Sequence, residues 1–538
     1  MRSAGPLVVA LLGAAAALAW WAARALPVEL ADAPADRVPC VSYAPFRLPG
    51  ESPFVKGFRA SPARLDQDLA LLAARTGCIR TYSVDQGLDE VPRLARKHGL
   101  RVLLGVWIGR DAAENEAELA RALVVLRRDA DVIDAVIVGN EVLLRREQPP
   151  ERLRAYLDRV RAATALPVTY ADVWEFWLQH PSLAEAVSFV TVHMLPYWED
   201  EPQPVGRAVD HVLRMHARVR AAFPGKPILI GEVGWPSAGR RREGAVPSRV
   251  NQARFVREFA AAAARAGLRY NVIEAFDQPW KRRLEGTVGG HWGLDDSAGR
   301  PKFPLRGPVV EDPAWARGWA AALAGAAAFL LAGCARAPRP GGAGVWFLAL
   351  AGAAAGALLA RQAQIVASAS RNALEWGAGA AFTGFAALAT LLCAIALARA
   401  MALAPPLRPA TAAEAVQWLR TDCSRRTALE RWFGVARFVV LFGATLVSVL
   451  LAFDPRYRDF PLAGLAAPAV GFALLAWTAG PIPAAVEERT LAWVLAAAAP
   501  VIVWRETLAN VDALAWVALT GLLAASVLVA RQDEQARE

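Results

Sequence analysis

Hydrophobic positions fall into three regimes along this chain. Residues 6–23 form an uncharged apolar block behind Met1-Arg2-Ser3. From about 38 to 309, short apolar runs alternate with amphipathic stretches and charges occur throughout. After Pro313 come long Ala/Leu/Val/Gly blocks broken by short arginine-bearing segments. In the middle regime, runs at 41–46, 78–83, 101–107, 133–138, 167–172, 188–193, 227–231 and 270–276 read as buried strands. Segments 61–75, 88–98, 114–128, 150–163, 205–222 and 248–266 carry the helical period. Ser61-Pro62 fits an N-cap followed by proline at the first helical position, and Gly99 follows Lys97-His98 as a helix-ending glycine does. Strands alternating with helices imply parallel βα units, and eight units in about 270 residues predict a closed (β/α)8 barrel, the TIM barrel. An open doubly wound sheet would want a Gly-rich first turn, which this chain lacks.

The apolar blocks set the domain plan. Residues 1–26 hold a signal peptide or an uncleaved signal anchor. The eighteen uncharged residues are long enough to span a bilayer, which favours the anchor, and a small-residue cleavage site at Ala31-Asp32-Ala33 is the alternative. Residues 27–312 are the barrel domain. Residues 313–538 are an all-α transmembrane bundle with about seven spans, near 316–334, 343–360, 377–397, 436–453, 461–479, 490–504 and 513–530. With the amino terminus inside, the arginine-rich segment 398–435 and the tail from Arg531 face the cytoplasm, and the barrel lies outside the cytoplasmic (inner) membrane. No span carries a charge near its middle, which speaks against an ion-coupled transporter. Gly352-xxx-Gly356 suggests close helix packing, and Trp493, Trp504 and Trp516 suggest interfacial or packing residues.

Composition refines this. The 538 residues are 55% hydrophobic, with a mean hydropathy of +0.27. The net charge of +10 comes with no nucleic-acid motif, so the arginines read as topology signals and contacts with anionic lipid, and nucleic acid is not a partner. Cys334, Cys393 and Cys423 sit in or beside spans without metal spacing. Cys40 and Cys78 precede the first two strands, neighbours in a barrel, and are either disulfide-bonded in an oxidising compartment or two small buried side chains. Asp129-Ala130-Asp131 matches a loose metal pattern but lies at a helix end, so no metal site is assigned.

Barrel active sites lie at the carboxyl ends of the strands. This chain places Tyr43, Arg80, Tyr82, Trp107, Asn140, Glu141, Asp172, Trp174, His193, Glu232, Trp235, Phe276 and Asp277 there. Aromatic residues hold the apolar faces of sugar rings while polar neighbours bond the hydroxyls. Two carboxylates on strand ends, Glu141 and Glu232, suit glycosidic bond cleavage.

Residues 38–305 resemble glycoside hydrolase family 17, the β-1,3-glucanase family. The resemblance rests on Val-Gly-Asn-Glu-Val at 138–142 and Glu-Val-Gly-Trp-Pro-Ser at 232–237. It also rests on Ile273-Glu274-Ala275-Phe276-Asp277-Gln278-Pro279-Trp280-Lys281 and on Glu285-Gly286 with Gly290-His291-Trp292-Gly293. It implies Glu141 as acid/base and Glu232 as nucleophile of a retaining mechanism that needs no metal or organic cofactor. The charge on Glu232 would then raise the pKa of Glu141. Substrate contacts are expected from Tyr43, Arg80, Tyr82, Asn140, Asp172, Trp174, His193, Tyr197, Trp235, Phe276, Trp280, Lys281, Glu285 and Trp292, with Asn140 on the sugar 2-hydroxyl. Trp174, Trp177, Trp198 and Trp280 either pack between loops or touch sugar, and Arg145 and Arg146 read as a solvated helix start. The whole arrangement is similar to bacterial membrane proteins of cyclic β-1,3/1,6-glucan synthesis. That likeness implies β-glucan as substrate, transglycosylation, the lipid bilayer as a partner and a membrane glucan synthase beside it. A simple β-1,3-glucan hydrolase and a non-catalytic glucan-binding subunit are the alternatives. A glycosyltransferase using a nucleotide sugar would need a cytosolic nucleotide site, for which 398–435 is too short.

Overall fold

In a computed structural model of the chain, the described residues are 4–336, 340–420 and 427–529. Cys423, Arg425, Arg426 and the tail from Arg531 lie outside them. The chain divides into two compact units, Pro27–Val309 and the combination of Met1–Leu26 with Val310–Glu538.

The first unit is a closed barrel of eight parallel strands. They are β1 (Val41–Ser42), β2 (Cys78–Arg80), β3 (Arg101–Val106), β4 (Ile133–Asn140), β5 (Val168–Val173), β6 (Val190–His193), β7 (Ile228–Val233) and β8 (Arg269–Val272). Pairing of Val41 with Val272 closes the ring. Inside it, Cys40, Leu103, Ala135, Ile137, Ala171, Phe189 and Leu229 form a compact plug. A larger apolar layer lies between strands and helices, with Val102, Val136, Val168 and Ile230 among its fully buried members. Helix starts follow local chemistry. Ser61 caps Pro62–Ala73 by accepting from Arg64 N, and Asp111 caps Ala112–Arg128 through Ala113 N and Glu114 N. Cys40 and Cys78 are joined in a disulfide. Asp129 and Asp131 both bind Arg96, at 3.0 and 2.7 Å, so this pair is an ion-pair partner.

Short elements the hydrophobic period does not announce also occur. After β5 the chain forms Trp174–Gln179 and Pro181–Ala186, and after β8 it forms Pro279–Lys281, Arg282–Glu285 and Thr287–Gly290. Elements of three to six residues are too short to show a period. Strand pairing is irregular near the carboxyl ends of β4, β6 and β7, where register shifts fall at Ile137/Asn140, Val192/His193 and Ile230/Val233. Such bulges re-aim side chains at a barrel rim.

The second unit is helical. Seven of its helices are long and apolar enough to cross a membrane: Ala4–Ala25, Ala316–Arg336, Gly342–Ala369, Ala373–Met401, Ala428–Phe453, Leu462–Ala479 and Val511–Leu528. Val486–Glu506, where a span is expected at 490–504, is a helix with Glu487, Glu488, Arg489, Arg505 and Glu506 at its ends, and it falls outside that set. Small residues permit close approach. A Cβ on Gly325 would lie 2.2 Å from the Gly352 carbonyl oxygen, and one on Gly356 would lie 2.0 Å from that of Ala321. The first helix is integral to this packing: Trp21 is buried and donates to the Ala357 carbonyl at 3.1 Å. Trp493 and Trp504 are exposed, whereas Trp516 is buried and donates to Ser448 Oγ. The expectation that no span carries a charge near its middle needs correction. The helix Ala428–Phe453 begins earlier than the hydropathy suggests, so Arg437 lies inside it, buried against Glu488 at 2.6 Å.

Candidate active site

At the carboxyl end of the barrel, six of the anticipated residues share one network. The β2 residue Arg80, fully buried, donates through Nη1 to Glu232 Oε1 (3.0 Å) and to the Gly231 carbonyl (2.7 Å), and through Nη2 to Asn140 Oδ1. Tyr82 donates to the same Oε1 at 2.9 Å. Burial first, then the charge of Glu232, pushes the Tyr82 phenol well above its usual pKa, so it stays a donor. His193 lies between the two glutamates, with Nδ1 3.0 Å from Glu141 Oε1 and Nε2 3.6 Å from Glu232 Oε1.

The backbone aims these groups. Gly139 has φ +83°, and a Cβ there would lie 2.8 Å from Val142 Cγ2 and 3.3 Å from the Tyr170 ring. Glu141 itself sits at φ +52°. This turn ends β4 and lifts the Glu141 carboxylate over the barrel. Asp172 on β5 supports it from behind: it accepts from the Tyr170 hydroxyl, which in turn accepts from Leu143 N. Burial, reinforced by the charge of Glu141, pushes Asp172 up to about 6.

The acidity of Glu141 runs opposite to the sequence-based expectation. Burial opposes its ionisation, but the His193 hydrogen bond and the charges of His193, Arg145 and Arg80 prevail and hold the carboxyl below its usual range. The signal lies in His193, 52 residues away on β6.

A second acidic group flanks Glu232. The β8 extension carries Glu274, paired with Lys281 at 2.8 Å. Burial, then the charges of Glu285 and Asp277 against the opposing charge of Lys281, pushes Glu274 up to about 7. Glu285 is also raised to about 7, by burial and then by the charges of Glu141 and Glu232, against the pull of Lys281. Asp277 points elsewhere, accepting from Lys302 and Gly293 N.

Several expected sugar contacts are placed differently. Tyr43 is fully buried with its hydroxyl on Asp68, and Phe276 is buried under the Arg47 guanidinium. Tyr197 and Trp235 are buried and donate to the carbonyls of Arg240 and Val246. Trp292 is 2% exposed and Trp177 is 1% exposed. These six are packed into the core, because sequence position does not reveal whether a ring points up or folds under its loop. Trp174 (Nε1 on Glu199), Trp198 and Trp280 (Nε1 on Gln278) are partly open. Arg145 is no solvated helix start, since its guanidinium lies 4.3 Å from the Trp107 ring centroid.

The arrangement supplies one carboxylate held by two donors and a second held by an imidazole. One ligating atom each of Glu141, His193 and Glu232 lies within 4.8 Å of the others. Such a trio also suits a divalent cation, but the Arg80 guanidinium already bonds Glu232 and lies 3.4 Å from His193 Nε2. A second positive charge there is disfavoured.

Residues 40–293 match the family model described as the BtgE/BtgC glycoside hydrolase domain. Over that stretch the barrel is similar to glycoside hydrolase domains of this kind. The chain is 27% identical over 259 residues to a glucan 1,3-beta-glucosidase of Arthroderma benhamiae, covering 45% of this chain and 83% of that protein. It is 26% identical over 289 residues to the glucan endo-1,3-beta-glucosidase btgC of Emericella nidulans, covering 48% of this chain and 44% of that protein. The chain thus spans less than half the length of this relative, and 42% of the like-named Aspergillus niger protein. Among solved structures it is similar to a glycoside hydrolase family 17 beta-1,3-glucanosyltransferase from Rhizomucor miehei, at 24% identity and TM-score 0.44, covering 50% of this chain and 97% of that one.

Proposed function

We propose that this chain is a retaining β-1,3-glucan-active glycosidase and transglycosylase, working outside the cytoplasmic membrane in which its helical unit sits. The observation that carries the reading is the pair Glu141 and Glu232, on the ends of β4 and β7, with carboxylate oxygens within 4.8 Å of one another. Retaining enzymes keep the two carboxyls about 5–5.5 Å apart, whereas inverting ones need about 6.5–9.5 Å to admit water between them.

Arg80 and Tyr82 both bind Oε1 of Glu232, which leaves Oε2 to attack the anomeric carbon. The carbon–oxygen bond to the leaving sugar breaks as the new ester bond forms, and Glu141, reacting through the fraction of the enzyme in which it carries a proton, gives that proton to the departing oxygen. His193 then stabilises the Glu141 carboxylate this produces, so it makes the acid stronger. In the second half, Glu141 takes a proton from an acceptor hydroxyl whose oxygen displaces Glu232. A sugar acceptor gives transfer and water gives hydrolysis. A 6-hydroxyl acceptor would create a β-1,6 branch, and an acceptor on the same chain would close a ring. Seven long apolar helices support residence in a membrane, where a neighbouring glucan synthase would supply nascent chains.

The test is product analysis with linear β-1,3-gluco-oligosaccharides, comparing wild type with Glu232→Gln. Products longer than the substrate, absent in the variant, are expected. Only shorter products would leave a hydrolase, and no turnover by wild type would refute the reading.

A further inference from the structure

Outside the network described above, the barrel rim carries an aromatic side chain with an open surface and a built support next to the Glu141 loop. Trp107 directly follows β3, beside the β4 end that bears Glu141, and 36% of it is exposed. Tyr43, Trp235 and Phe276 at other strand ends are buried, whereas the Trp107 indole is open.

Its support comes from the loop after Glu141. Arg145 stacks its guanidinium 4.3 Å from the indole centroid. Arg145 is fixed in turn by Glu147 at 2.9 Å, and its backbone N–H donates to the Glu141 carbonyl. Gln148 ties the two loops together by donating to the carbonyls of Gly109 (2.7 Å) and Arg110 (3.1 Å). Beneath the ring, the buried Glu118 carboxylate accepts from Trp107 N at 3.1 Å and from Val84 N at 2.8 Å. An indole that would otherwise swing is thereby held from its backbone and from one face. A rigid ring with an open face is what stacking on a sugar needs, since little side-chain freedom is lost on binding.

We propose that Trp107 is a sugar-stacking residue that holds one glucosyl ring of a β-1,3-glucan next to the bond Glu141 protonates, with Arg145 as the positioning residue that fixes the indole. This rests on the glucan-active reading above and extends it to a residue pair that makes the cleft prefer chains over short sugars. Arg145 has a second consequence, because its charge helps keep the Glu141 carboxyl ionised. The two loops therefore couple recognition to acidity.

The experiment uses the full-length protein carrying Glu232→Gln, titrated calorimetrically with a linear β-1,3-glucohexaose, with and without Trp107→Ala, Trp107→Phe or Arg145→Gln. Circular dichroism checks that each variant is folded. Trp107→Ala is expected to weaken binding roughly tenfold, the effect of losing one aromatic platform, and Trp107→Phe to recover most of it. Arg145→Gln is expected to weaken binding less and, with Glu232 restored, to move the basic limb of the kcat/KM profile to higher pH. A merely structural role would not move that limb. If the parent binds the hexaose and Trp107→Ala binds it equally, or if Phe fails to rescue, the inference is overturned while the glucan reading stands. If the parent binds no β-1,3-glucan, both fall.

Discussion

Removing the guanidinium that holds Glu232 gives the sharpest test of the site. Arg80→Met keeps the stem of a fully buried side chain but deletes the hydrogen bonds to Glu232 Oε1 at 3.0 Å, to the Gly231 carbonyl at 2.7 Å and to Asn140 Oδ1, together with the 3.4 Å approach to His193 Nε2 and the stacking on the Tyr82 ring. Glu232 is 4% exposed, so its carboxylate keeps Tyr82 and the more distant His193 but loses its compensating charge. Breaking a buried pair from one side costs about 3–5 kcal/mol. The cost also has a pH signature. An uncompensated carboxylate binds its proton more tightly folded than unfolded, so the destabilisation is present at neutral pH and is lost as pH falls and Glu232 of the variant is protonated. Urea unfolding of the purified full-length protein in detergent, followed by near-ultraviolet circular dichroism of the barrel at pH 7 and pH 4, would measure both. Adding Glu232→Gln to Arg80→Met should restore part of the stability. A loss below about 1 kcal/mol, or one that does not shrink in acid, would refute the assignment of Arg80 as the counter-charge of Glu232.

Three further outcomes are expected. His193→Gln removes the hydrogen bond and charge that hold the Glu141 carboxyl down, so the basic limb of the pH–rate profile should move to higher pH; an unchanged limb would show that His193 does not tune Glu141. Gly139→Ala places a Cβ 2.8 Å from Val142 Cγ2 at φ +83°, and the resulting shift of Glu141 should lower kcat about 100-fold with the fold retained, as steady-state kinetics and circular dichroism would show. Replacing Cys40 and Cys78 by alanine opens a loop with a sequence separation of 38 residues and should cost about 4 kcal/mol, read as a lower midpoint in thermal unfolding.

The eight strands and the two glutamates were legible because each rests on a local pattern: a β-branched run, a glycine-bounded strand end, a short motif. What escaped depends on distant groups. The acidity of Glu141 has the sign it has because β6 brings His193 to it, and nothing near residue 141 announces that. Tyr43, Tyr197, Trp235 and Phe276 sit at strand ends yet are buried, because each is capped by a loop or an arginine remote in sequence. Arg145 reads as solvent-facing until β3 supplies Trp107. In the helical unit, the expected span 436–453 leaves Arg437 at its end, whereas the helix Ala428–Phe453 carries it in its interior, buried and neutralised by Glu488 from another helix.

The helical unit is discontinuous along the chain, and synthesis gives that discontinuity a duration. Trp21 finds its hydrogen-bond acceptor 336 residues later, at Ala357. At about 5–20 residues per second, the first helix waits roughly 20–70 s for the backbone that will satisfy its indole. The whole barrel, Pro27–Val309, is made within that interval, so its strands are complete before Ala357 is added. Closure of the helical unit is therefore a late event, and it follows the barrel rather than preceding it.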